Sequence, residues 1–121
     1  LEQGVAPTYP DSMRDTLLYD MMPYRKQGKF TLCNMTDTDF MNESKHKDSK
    51  FAFVFFDGPH TTRAVSTEAV WFANHSAPIT RFVFDDWTSY NMALIAKLLE
   101  YYDFRVIESG RNKCLMQKGK I

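Results

Sequence analysis

Apolar residues recur along this chain at two spacings, and the two spacings alternate. Residues 1–10 hold Gly4, Pro7 and Pro10 and read as an irregular lead-in. Asp11 or Ser12 can cap a helix, and Met13, Leu17, Leu18 and Met21 then fall on one helical face. Pro23 and Gly28 close that helix. Residues 30–35 (FTLCNM) are β-rich and predict a strand. Residues 37–49 are polar apart from Phe40 and Met41, which suits a short helix followed by a solvated loop. Residues 51–56 (FAFVFF) are apolar without alternation, the pattern of a strand covered on both faces. A polar turn, Asp57-Gly58-Pro59-His60, ends it.

Thr61 or Thr62 starts the next helix, which runs to about Asn74, with Pro78 ending the connection. Residues 81–84 (RFVF) predict a second buried strand, which stops at Asp85-Asp86-Trp87. Ser89 can cap a helix over residues 90–102, with Met92, Ile95, Ala96 and Leu99 on one face. Residues 104–109 and 113–117 flank Gly110-Arg111-Asn112 and predict an antiparallel hairpin. Strands alternating with helices imply one α/β domain over residues 1–121, with a mostly parallel sheet and helices on both faces.

Composition narrows the function. The 121 residues carry 15 basic and 15 acidic side chains, a formal net charge of zero. Nucleic-acid binding by phosphate neutralisation and polybasic membrane attachment both normally show a basic excess, so neither is expected. The longest apolar runs fall far short of the ~20 residues of a membrane span. Cys33 and Cys114 lie in apolar stretches and read as buried, reduced thiols; one disulfide between them stays open. Sequons at Asn34, Asn42 and Asn74 read as coincidence, because no secretory signal is visible. A cytoplasmic protein is therefore expected. The first residue is Leu1, which suggests a processed or cloned piece of something longer.

The chemistry gathers at the strand ends. Ligands of open parallel sheets bind at the carboxyl ends of the strands. Asp57 follows the first buried strand, and Asp85 and Asp86 follow the second. Three carboxylates on one rim suit a hard divalent cation such as Mg²⁺. His60, just past Asp57, is a candidate base. The plainer reading is that acids after strands form turns and cap helices, and that His60 is a turn residue.

Residues 51–118 resemble the C-terminal half of a class I S-adenosylmethionine-dependent methyltransferase. The resemblance is carried by FAFVFFDGPH, RFVFDDW and the closing hairpin. It is strongest to small-molecule O-methyltransferases of the macrocin O-methyltransferase and cephalosporin-hydroxylase-like group. It implies a partial Rossmann-like sheet, S-adenosylmethionine as cofactor and a small-molecule hydroxyl as acceptor. It also implies that Asp57, Asp85 and Asp86 hold Mg²⁺, and that His60 or Asp57 takes the acceptor proton. Pro59 replaces the family's usual acid, and Trp87 its usual tyrosine. KFTLCNMTD resembles the family's third strand and the turn that contacts adenine, which implies that Thr36 and Asp37 bind cofactor. Equally, Thr36 and Asp37 can simply start the following short helix.

The chain departs from the family in one important respect. None of its five glycines forms the Gly-x-Gly turn that admits the cofactor, and the family's first two strands are missing. Either the chain is part of a longer enzyme or its sheet is completed by a second copy, and exposed apolar edge strands predict a homo-oligomer. The alternative is a non-catalytic α/β scaffold or assembly module derived from the same fold. A phosphoryl or sugar-nucleotide enzyme using the same carboxylates is a weaker third reading, since no Gly-rich phosphate cradle is present.

Overall fold

The computed structural model describes residues 10–119. The described residues divide into two compact units, residues 10–42 and residues 43–119. The lead-in expected over residues 1–10 lies, apart from Pro10, outside the described residues.

The first unit is helical. Helix α1 spans Asp11–Asp20 and α2 spans Met22–Lys26. Pro23 does not end the first helix; it sits in the first turn of α2, where its missing N–H costs nothing. Neither Asp11 nor Ser12 caps α1: the capping position is Pro10, and no side chain bonds there. Helix α3 spans Asp37–Met41. The strand expected over residues 30–35 does not form; those residues carry no regular structure. A β-rich run becomes a strand only when a neighbour supplies its ladder. The apolar stripe of α1 is left open, with Met13 53% and Leu17 41% exposed. Cys33 is half-buried, Cys114 is buried, and both are free thiols.

The second unit is a four-stranded sheet with two helices. Strand β1 spans Phe51–Phe56, α4 Thr62–Asn74, β2 Ser76–Asp85, α5 Met92–Leu99, β3 Phe104–Ser109 and β4 Lys113–Lys118. The strand order is β1-β2-β4-β3. Only β1 and β2 are parallel; β4 runs antiparallel to both β2 and β3. The sheet is therefore mixed rather than mostly parallel, because the last strand inserts between β2 and β3 instead of closing the edge.

Strand β2 begins earlier than expected and contains Pro78. The register with β1 jumps from Phe51↔Ser76 to Phe53↔Arg81, so the residues between 76 and 81 bulge out and accommodate the proline. Thr80 Oγ1 pins this irregularity by donating to the Phe51 carbonyl (2.7 Å). Helix α4 is capped by Thr61, whose Oγ1 accepts from the Ala64 N–H (3.2 Å). Asn91, not Ser89, caps α5 (Leu94 N to Asn91 Oδ1, 3.1 Å); Ser89 ends a short 3₁₀ turn instead.

The core lies between one sheet face and the two helices. Phe56, Phe82, Phe84, Phe104, Cys114 and Met116 pack with Val65, Ala69 and Ala73 of α4 and Met92, Ile95 and Leu99 of α5. Within this unit α4 and α5 thus share one face, not two. On the other face Phe53 is 57% and Phe55 44% exposed, so β1 is not covered on both sides, and its continuous apolar run overstated its burial. Among the described residues no helix is long and apolar enough to cross a membrane.

Candidate functional site

Parallel strands end at the same side of a sheet, so β1 and β2 deliver their terminal acids to one rim. The structure brings Asp57, His60, Asp85 and Asp86 together there. The Asp57 and Asp85 carboxyls lie within hydrogen-bonding reach of one another. Partial loss of hydration, then the Asp85 carboxylate, pushes Asp57 above the usual carboxylate range. Asp85 moves the other way, because Lys113 Nζ donates to its Oδ1 at 2.6 Å. Of the two carboxyls, Asp57 is therefore the one that takes up a proton more readily.

Asp86 adopts a left-handed backbone (φ 51°), a conformation that Asp tolerates better than most residues. The turn is held by the Ser89 N–H on the Asp86 carbonyl (2.8 Å) and by the Tyr90 hydroxyl donating to the Asp85 carbonyl (2.9 Å). Burial, followed by nearby negative charge, raises the Tyr90 phenol, which keeps it a neutral donor. His60 Nε2 lies 3.3 Å from Asp86 Oδ2, with the imidazole side chain 10% exposed. Its Nδ1 is sealed from solvent and has no hydrogen-bond partner. Trp87 Nε1 donates to the Gly110 carbonyl (3.0 Å) and ties this turn to the β3–β4 hairpin.

Lys113 was not legible as a site residue. It opens β4, and the antiparallel register sets it directly across from Asp85. Its sequence context, a lysine after a turn, carries no signal of that partner.

The fit of a divalent ion can be judged from these contacts. Asp85 is occupied by Lys113, Asp86 by His60, and Asp57 by Asp85. Among the described residues no group of three or more His, Cys, Asp or Glu side chains is arranged to hold a metal ion. The expected Mg²⁺ set of Asp57, Asp85 and Asp86 is thus present as a cluster of acids, but Asp85 and Asp86 face Lys113 and His60, and the three are not arranged around a shared ion position.

Thr36 and Asp37 lie in the first unit. Thr36 Oγ1 accepts from the Asp39 N–H (3.1 Å) and Asp37 Oδ1 from the Thr38 N–H (2.9 Å), so both serve the start of α3. Thr36 also borders a cavity of about 860 Å³ lined by Met13, Leu17, Leu32, Cys33 and Met35. A volume of that order is within the range of small-molecule sites.

No family model matches the chain, no curated protein matches it, and no solved structure matches it.

Proposed function

We propose that this chain is the acceptor-side part of an S-adenosylmethionine-dependent methyltransferase-like domain that methylates a small-molecule hydroxyl. The observation that carries the reading is the Asp57–Asp85 carboxyl pair at the ends of two adjacent parallel strands. The antiparallel hairpin after them agrees with what the sequence resemblance implies for this half of the fold.

When bound, S-adenosylmethionine supplies a methyl group on a sulfonium and leaves as the neutral thioether. Asp57 is the exposed member of the rim, and its elevated carboxyl is suited to accept the acceptor's hydroxyl proton as the O–C bond forms. Asp85, held ionised by Lys113, keeps that proton on Asp57. His60 has one nitrogen on Asp86 and the other sealed, so its part is to position Asp86 rather than to meet substrate. No step passes through a metal.

A second reading, a non-catalytic scaffold of the same descent, is favoured by the missing Gly-x-Gly turn and by the lack of any strand before β1 among the described residues. Calorimetric titration of S-adenosylhomocysteine into the folded chain separates the two. Micromolar binding supports transfer; a flat titration with intact circular dichroism supports the scaffold. Strand β1 is also an edge strand flanked by exposed Phe53 and Phe55, which favours association with a second copy. Sedimentation equilibrium showing only monomer at high micromolar concentration refutes that association.

A further inference from the structure

We infer that the rim carries its own cation: the Lys113 ammonium occupies the Asp85 carboxylate that a divalent ion at this rim would need, so this chain holds no Mg²⁺ there. The backbone sets up the arrangement, because the register pairs Asp85 with Lys113 across β2 and β4. Lys113 Nζ lies 2.6 Å from Asp85 Oδ1, and the Asp85 side chain is only 17% exposed. The Lys113 ammonium also lies over the face of Phe55, 5.9 Å from the ring centroid. An ammonium over an aromatic face gains a further attraction, which adds to its hold on this position.

On its other side Asp85 meets the Asp57 carboxyl. Asp86 is turned to His60, 3.3 Å away. Mg²⁺ requires a near-octahedral oxygen set and gives up water reluctantly. Here the central carboxylate already bears a unit positive charge at contact distance. A divalent ion bound to the same carboxylate would sit beside that charge, and like charges this close repel strongly when partly shielded from water. The inference stands on the rim contacts alone and not on the methyl-transfer reading.

The test uses Mn²⁺ as the probe, followed by calorimetry and by the loss of its free-ion paramagnetic resonance signal. The full chain is compared with Lys113→Gln and with Lys113→Gln combined with Asp85→Asn. The Lys113 side chain is 49% exposed, so Lys113→Gln leaves the fold intact, and circular dichroism verifies this. The full chain is expected to show no saturable uptake at millimolar Mn²⁺. Lys113→Gln is expected to bind at least about tenfold more tightly, since it removes one unit of like charge beside the ion. Adding Asp85→Asn is expected to abolish the gain. Uptake by the unaltered chain as tight as by Lys113→Gln, or no uptake by Lys113→Gln, overturns the inference. None of these readouts depends on transferase activity.

Discussion

Truncating Phe82 should expose how unevenly the two sheet faces contribute to stability. Phe82 is fully buried, stacked on Phe104 (centroids 4.3 Å apart) and edge-on to Phe56 (5.1 Å). A buried phenylalanine removes roughly 150–250 Å² from water, and at about 25 cal/mol per Å² that is on the order of 4–6 kcal/mol as an upper bound. Measured Phe→Ala losses in cores are about 3–5 kcal/mol, and we expect Phe82→Ala to fall in that interval. Against a total stability on the order of 5–15 kcal/mol, this is a large fraction. Phe53 lies on the opposite face and is 57% exposed, so Phe53→Ala should cost under about 1.5 kcal/mol. Both can be read by urea unfolding followed through Trp71 and Trp87, which lie in the same unit. A Phe82→Ala loss below about 1.5 kcal/mol would refute the placement of the core. A Phe53→Ala loss equal to that of Phe82→Ala would show instead that the outer face is covered.

The left-handed backbone of Asp86 (φ 51°) makes a further distinction. Asp86→Asn should keep the fold, whereas the β-branched Asp86→Val should cost about 1–3 kcal/mol in thermal unfolding; equal midpoints for the two would refute the strain argument. The Asp85–Lys113 pair has a defined pH signature. Asp85 is depressed by Lys113, so its contribution is present above the usual carboxylate range and lost as pH falls through its folded value. Lys113 is raised by Asp85, so its contribution is present below the usual lysine range and lost as pH rises through its folded value. The stability difference between the unaltered chain and Lys113→Gln should therefore plateau near neutrality and vanish at both extremes; a pH-independent difference contradicts the pair. Asp57 has the opposite sign from Asp85: its raised carboxyl favours folding when protonated and the benefit fades as pH rises. Asp57→Asn should accordingly gain a few tenths of a kcal/mol at neutral pH, and a loss would show that Asp57 is held by a favourable contact.

Local pattern made some elements legible and hid others. FAFVFF, the α4 periodicity and the hairpin around Gly110 all form as their spacing indicates, because each is decided by neighbours in sequence. Residues 30–35 look equally strand-like but have no ladder, and composition does not report whether a partner strand exists. Pro78 reads as a stop, yet a bulge pinned by Thr80 admits it into β2. The acids of the rim were visible, since strand ends carry them. The groups that balance them were less so. His60 lies near Asp57 in sequence but is held by Asp86, and Lys113 comes from 28 residues beyond Asp85. Such partners are set by strand order, which hydrophobic spacing does not encode.

Strand polarity explains why the rim is balanced as it is. A parallel neighbour would deliver another carboxyl end, and with it another turn, beside Asp85. Strand β4 is antiparallel to β2, so its first residue, not its last, stands at the rim. The charge of that first residue then decides what the carboxylate cluster can hold. Moving the lysine along β4 tests this directly. Leu115 pairs with Val83, two residues inward from Asp85 and on the same sheet face. Two residues along a strand span about 6.6–6.8 Å. A lysine at 115 in a Lys113→Gln background starts that much farther from Asp85 and lies over the exposed sheet face. It should fail to restore the Asp85 depression, seen as an Asp85 carboxyl resonance that titrates as in Lys113→Gln alone. Restoration by that distant lysine would mean that net charge near the rim, rather than the cross-strand position of Lys113, governs the cluster.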